Sequence, residues 1–324
     1  MADLTPPAAA RGFLDSLGWT GASITPLAGD ASFRRYFRVM TGDRRAVLMD
    51  APPPNEDPRP FLAVARWLGE RGFGAPHIHG EALDHGLVLL EDFGDDRMRE
   101  AIDAGAAPAP LYARAVGTLV RLHAEPAGPF PPHDLALLTQ GTETFATWYC
   151  DTLGIATDGY AEAWAAVLPL GLPARPVTTL RDYHAENLML LPGDRLGLLD
   201  FQDATAGHPA YDLVSLLQDA RRDVEPEIEA AMLDGYRRET GQGSAFDTAY
   251  HVLGAQRNTR ILGVFTRLWK RDGKPRYPSL CPRVWRYLER DLAHPALAPV
   301  KAWFDAHIPP SLRGDPMLLA ARAA

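Results

Sequence analysis

Hydrophobic and polar positions divide the chain into a β-rich beginning and a helical remainder. A short helix is expected around Ala9–Leu17. Residues 24–49 read as strands, with Phe33, Tyr36, Phe37 and Val39 followed by Ala46–Met49. Thr41-Gly42-Asp43 has the composition of a hairpin turn between them. A polar, proline-rich segment covers Ala51–Pro60, after which Phe61, Leu62, Val64, Ala65 and Leu68 predict a helix ending near Gly69 or Gly72. Further strands are expected at His77–Gly80 and Gly86–Leu90. Past Asp92-Phe93-Gly94 helical spacing dominates, at Leu111–Ala124, Thr142–Leu153, Tyr160–Leu168, Glu227–Thr240, Thr248–Arg271 and Arg283–Leu292. One β patch interrupts it. Val177–Leu180, Leu188–Leu191 and Leu196–Leu199 are short apolar runs, the last two joined by the turn Pro192-Gly193-Asp194. The pattern predicts an α+β architecture of two lobes, a β-rich N-lobe over 1–92 and a mostly helical C-lobe over 93–324.

Composition narrows the class of protein. With 46% apolar and 23% charged residues, the chain can bury a core and is not globally disordered. A formal charge of −8 argues against whole-surface binding to nucleic acid or to anionic membrane. Cys150 and Cys281 form no CxxC pair, which favours a reducing compartment. No basic-then-apolar leader and no apolar run of roughly 20 residues is present, so a cytoplasmic location is expected. Nothing points to an obligate protein partner. The basic residues are lopsided: of 33, all but Lys270, Lys274 and Lys301 are arginine, and the first 269 residues contain no lysine.

The chemistry concentrates at the second hairpin. Asp182 lies in the loop entering it, Asn187 follows five residues later, and Asp200 ends its second strand. A strand–turn–strand unit brings its two ends together, so Asn187 and Asp200 can offer hard oxygen ligands to one ion, which suits Mg²⁺. Asp182 is then placed to accept a proton from a hydroxyl. A base, two oxygen ligands and a rigid frame match the needs of phosphoryl transfer, which is mostly positioning and charge neutralisation. Turn or cap roles would also suit Asp and Asn, and Asp212 reads as a helix cap or as a brace for the catalytic loop. His77 and His79 could form a metal pair, but no further ligand lies near them in the sequence.

The D-x4-N motif, followed 13 residues later by Asp200-Phe201, resembles the aminoglycoside phosphotransferase superfamily of the protein-kinase-like fold. Within it, Leu27–Arg38, Met49-Asp50-Ala51-Pro52, Arg181–Met189, Leu216–Val224 and Arg257–Lys274 resemble the anomeric N-acetylmuramate/N-acetylglucosamine kinases of bacterial cell-wall recycling. The resemblance implies an ATP-dependent sugar kinase with Asp182 as base and Asn187 and Asp200 on Mg²⁺. It implies ATP between the lobes, with Gly29, Asp30, Ala31 and Ser32 over the phosphates and the Glu91 carbonyl and Phe93 N–H at adenine. Other acceptors of this superfamily remain open, among them aminoglycosides, choline and homoserine, as does a non-catalytic ATP-binding pseudokinase.

Departures from the family pattern carry their own expectations. Met49 stands where a phosphate-binding lysine is expected, and the helix over Pro60–Leu68 has no acid to partner one. Arg34, Tyr36 and Arg38 share one strand face, so Arg34, and with it Arg38, is expected to supply the positive charge, with Tyr36 against adenine. For the acceptor, seven basic residues and one acid lie between Arg257 and Arg276, favouring an anionic or neutral sugar over a polycation. Arg267 and Lys274 are the first candidates there, with His184, Glu186 and Asp203 flanking the catalytic loop.

Overall fold

A computed structural model of the protein describes residues 5–27 and 34–323. The first half of the chain runs α1 (Ala10–Ser16), β1 (Ser23–Pro26), β2 (Arg35–Thr41), β3 (Arg44–Asp50), α2 (Arg59–Glu70), β4 (Ile78–Ala82), β5 (Leu87–Glu91) and α3 (Met98–Asp103). It continues through α4 (Pro108–Ala124), α5 (Leu135–Phe145), α6 (Asp151–Leu153), α7 (Tyr160–Ala165) and the short strands β6 (Val177–Thr179), β7 (Leu188–Leu190), β8 (Leu196–Leu198) and β9 (Thr205–Gly207). Helices α8 (Ala210–Leu217), α9 (Pro226–Thr240), α10 (Ser244–Lys270), α11 (Cys281–Leu292), α12 (Ala298–His307) and α13 (Pro316–Ala323) complete it. Two compact units result, Met1–Ala106 with Glu186–Asp203, and Ala107–Ala185 with Ala204–Ala324.

In the first unit, strands in the order β1-β2-β3-β5-β4 form an antiparallel sheet. Alternation gives each strand two faces. Phe37, Val39, Ala46, Leu48, Leu87 and Leu89 bury one face against Phe13 and Leu14 of α1 and against Trp19. On the other face Tyr36, Met49 and Val88 lie in register, beside the row Arg38, Val47 and Leu90. The β7–β8 hairpin, grouped with a helical lobe in the sequence reading, belongs to this unit. It is tied to it by backbone: Leu198 N–H donates to the Gly74 carbonyl at 2.7 Å and Leu190 N–H to that of Asp96 at 2.7 Å. Gly74 and Gly197 make the approach possible, since a Cβ on Gly74 would lie 2.1 Å from the Leu196 oxygen and one on Gly197 would lie 2.7 Å from the Phe93 ring.

The second unit is built around α10, which is buried along most of its 27 residues and packs against α5, α8 and α11. Helix α5 begins at Leu135, seven residues earlier than the expected Thr142, because Asp134 caps it by accepting from Leu137 N–H at 3.0 Å. Strand β9, which pairs with β6, and helices α3, α12 and α13 were not among the expected elements. Among the described residues, no helix is long and apolar enough to cross a membrane.

Candidate active site

In the second unit the loop after β6 is fixed from below. Asp212, fully buried on α8, accepts from the N–H groups of Leu180 and Arg181, both at 2.7 Å. Arg181 adopts φ 68°, a left-handed conformation that costs a non-glycine residue about 1–3 kcal/mol. Two charge-assisted hydrogen bonds at about 1.5–3 kcal/mol each outweigh that. Asp212 is therefore the brace of the two roles its sequence position allows. Tyr183 anchors the next turn, donating its hydroxyl to the Ala115 carbonyl on α4 at 2.9 Å.

Asp182 stands between these anchors with cations around it. Desolvation pushes its carboxyl up, but the guanidiniums of Arg257, Arg260 and Arg181 outweigh burial and hold it below the ordinary carboxylate range. Arg257 lies 3.7 Å away, buried on α10 and bonded to Ser215 Oγ at 2.8 Å. The group is thus an anion at every neutral pH. His184, a candidate flanking the catalytic loop, does not face solvent. It is buried, its Nε2 meets Arg221 at 3.1 Å, and burial depresses its pKa, so it accepts as a neutral ring.

In the first unit the oxygen ligands lie at the base of the hairpin. Asn187 closes the 3-10 turn Ala185–Asn187, and its carbonyl accepts from Leu199 N–H at 3.0 Å, so the residue before Asp200 is bonded to Asn187. Asp200 has φ 57° and a half-exposed side chain whose Oδ1 accepts from Gln202 Nε2 at 3.0 Å. The next residue, Phe201, is buried and stacks on Phe61 of α2 at 5.0 Å. Exposed carboxylate and buried phenyl together fix which way this turn faces.

Arg34 joins this cluster. Its Nη2 lies 3.8 Å from Asp200 Oδ1 and its Nε 3.6 Å from Glu56 Oε2. Glu56, in the proline-rich segment, was missed by the sequence reading, which looked for an acid on the following helix; its signal is a carboxylate just ahead of that helix. Tyr36 is half-buried in the same place, and desolvation raises its pKa. Met49 is wholly buried beside Tyr36 in the register. The expectation for Arg38 is corrected: its guanidinium meets the buried Asp92 at 2.8 Å and Asp95 at 2.8 Å, so it braces the segment that follows β5.

The remaining candidates are dispersed. Glu91 is exposed and its carboxylate accepts from His77 N–H at 3.1 Å, while Phe93 lies on Gly197 of the hairpin. Glu186 pairs with Arg99, and Asp203 is exposed at the end of the hairpin segment. Arg267 lines a cavity of the second unit, whereas Lys274, beyond the end of α10, does not line it. Gly29, Asp30, Ala31 and Ser32 lie outside the described residues. His77 and His79 have ring centroids 5.1 Å apart, and no cluster of three or more His, Cys, Asp or Glu able to hold a metal occurs among the described residues.

An antiparallel sheet unit, a larger helical unit and an Asp-x4-Asn loop feeding an Asp-ended hairpin define a kinase-type phosphotransferase. The chain belongs to the phosphotransferase enzyme family, whose pattern covers residues 23–247. It is 39% identical to an N-acetylmuramate/N-acetylglucosamine kinase of Caulobacter vibrioides, over 94% of this chain and 98% of that one. A kinase of the same name from Pseudomonas aeruginosa is 38% identical over 86% of each chain. Among solved structures, a choline/ethanolamine kinase family protein from Mesorhizobium loti superposes with a TM-score of 0.63 at 16% identity, covering 90% of this chain and 98% of that one. An aminoglycoside-3'-phosphotransferase of type VIII gives 0.54 at 20% identity, covering 77% and 99%. At such identities these two speak for the α+β fold alone.

Proposed function

We propose that the protein phosphorylates the anomeric hydroxyl of N-acetylmuramate and N-acetylglucosamine with ATP, giving the sugar 1-phosphate. The acceptor class rests on the relatives just named, which match nearly the whole chain. The observation that carries the chemistry is Asp182, kept anionic by Arg257, Arg260 and Arg181 against the pull of burial. Such a carboxylate is a weak base and a strong hydrogen-bond acceptor. It orients the hydroxyl and takes its proton as the sugar oxygen bonds to the γ-phosphorus and the bond to ADP breaks.

Asn187 and Asp200 would hold Mg²⁺. They fit it: both offer hard oxygens, and the Asn187–Leu199 backbone bond keeps their residues together at the foot of the hairpin. Bound there, the ion would neutralise phosphate charge. Arg34 supplies a second positive charge toward the phosphates, steadied by Glu56, in place of the lysine replaced by Met49. Tyr36 and the 91–93 segment serve the nucleotide. The test is incubation with ATP and Mg²⁺ against N-acetylmuramate, N-acetylglucosamine, kanamycin, choline and homoserine, with products identified by ³¹P NMR. A doublet from a sugar 1-phosphate is expected, and turnover confined to one of the other three would overturn the reading.

A further inference from the structure

Helix α10 presents Arg257, Arg260, Val264 and Arg267 on one face, at spacings of three, four and three residues. Beyond Arg257 this face opens on a cavity of about 220 Å³ lined by Arg181, Arg260 and Arg267, with His133, Gln140 and Tyr211 among the other walls. None of the lining residues is an acid. Three guanidiniums converge there in a protein whose formal charge is −8. The Nε of Arg267 is buried with no hydrogen-bond partner among the described residues. His133 adds no charge, because burial, with help from Arg181 and Arg260, holds its pKa down at about 3.

The cavity is also tied to the reaction. Arg181 and Arg260 line it and are two of the cations that hold Asp182 anionic. Pockets that enclose a whole small ligand occupy roughly 300–1,000 Å³, so this space suits one substituent of a molecule whose reacting end is at Asp182. We propose that the cavity is a carboxylate subsite: Arg260 and Arg267 bind the lactyl carboxylate of N-acetylmuramate while its anomeric hydroxyl meets Asp182. Arginine forks match a carboxylate in two-point contact. N-acetylglucosamine, with a hydroxyl in place of the lactyl ether, leaves the subsite to water. This rests on the sugar-kinase reading above and adds which residues tell the two sugars apart.

The experiment compares kcat/KM for the two sugars in the wild type, Arg267→Gln and Arg267→Lys. Arg267 is chosen because it is not among the cations that hold Asp182. The ratio of N-acetylmuramate to N-acetylglucosamine kcat/KM does not depend on how much enzyme is folded. It is expected to fall about 10- to 100-fold in Arg267→Gln, as for loss of a charged hydrogen bond, chiefly through KM for N-acetylmuramate. Arg267→Lys should recover part of it. An unchanged ratio in both variants would overturn the subsite and leave the sugar-kinase reading standing. A wild type that turns over neither sugar would overturn both.

Discussion

The two units use arginine in opposite ways. In the first, the arginines on β2 and just before it answer to carboxylates: Arg35 meets Asp50 at 2.8 Å, Arg38 meets Asp92 at 2.8 Å, and Arg34 faces Glu56 and Asp200 at 3.6 and 3.8 Å. In the second, Arg181, Arg260 and Arg267 wall a cavity that no acid lines. The first arrangement is internally neutralised and serves as framework. In the second, Arg181 and Arg260 also hold Asp182 anionic and Arg267 has Asp272 nearby, and the cavity they wall is the proposed seat of a ligand carboxylate. Distances divide the first group further. Arg35 and Arg38 are within hydrogen-bond length of their acids, whereas the ion pairs of Arg34 with Glu56 and Asp200 are longer.

The largest test falls on the carboxylate that the second unit keeps charged. Asp182→Asn preserves shape and removes the proton acceptor, so kcat should drop about 10³-fold, inside the span of roughly 10² to 10⁴ for a general base. Coupled measurement of ADP release, with thermal melting to confirm folding, reads it. A kcat within a factor of three of wild type would remove Asp182 from the chemistry.

Next come the paired arginines of the first unit, where the comparison can be broken directly. Arg34→Met should lower kcat/KM for ATP about 10²-fold with little change in melting temperature, as expected for loss of one phosphate-stabilising donor. Glu56→Gln should cost about tenfold less than that. Arg38→Met should do the reverse, sparing the kinetics of ATP and destabilising the fold by about 1–3 kcal/mol, because the buried Asp92 loses its cation. Equal kinetic losses at Arg34 and Arg38 would erase the distinction between shared and structural arginines.

What could be read beforehand follows the range of the interactions. The β2–β3 turn, the β7–β8 hairpin and the Asp182, Asn187, Asp200 spacing are local, and they stand in the sequence as periodicity, turn residues and motif. Met49 could be seen to be unable to bind phosphate from its side chain alone. The roles of Arg38 and Glu56 were not legible, because each depends on a partner far along the chain or on a loop whose path no periodicity encodes. Arg38 finds Asp92 54 residues away. The seven basic residues from Arg257 to Arg276 looked like one strip in the sequence. Helical geometry sorts them: Arg257, Arg260 and Arg267 turn inward on one face, while Lys270 and Arg271 are exposed. Membership of the hairpin in the first unit depended on the Gly74–Gly197 approach, which no pattern of apolar residues marks.

The smallest effect asks whether the charge of the cavity is fixed, as arginine alone would make it. Burial first, and then Arg181 and Arg260, hold His133 down at about 3; His208 is held at about 4 by burial and by His123. The sign follows from the unfolded chain, where both rings have pKa values near 6.5. Above that pH both states are neutral and nothing is gained or lost. As the pH falls below it, the unfolded state takes up protons that the folded state refuses until about pH 3 to 4, so stability declines. Between pH 6.5 and 5.5 each ring should cost about 1 kcal/mol, measurable by urea unfolding, and His133→Gln should remove its share. Over the same interval the ratio of N-acetylmuramate to N-acetylglucosamine kcat/KM should stay flat, since no wall of the cavity titrates there. A ratio that climbed as the pH fell would mean that His133 becomes charged in the folded protein. The contrast between a neutralised framework and a permanently cationic cavity would then give way to a cavity whose charge depends on pH.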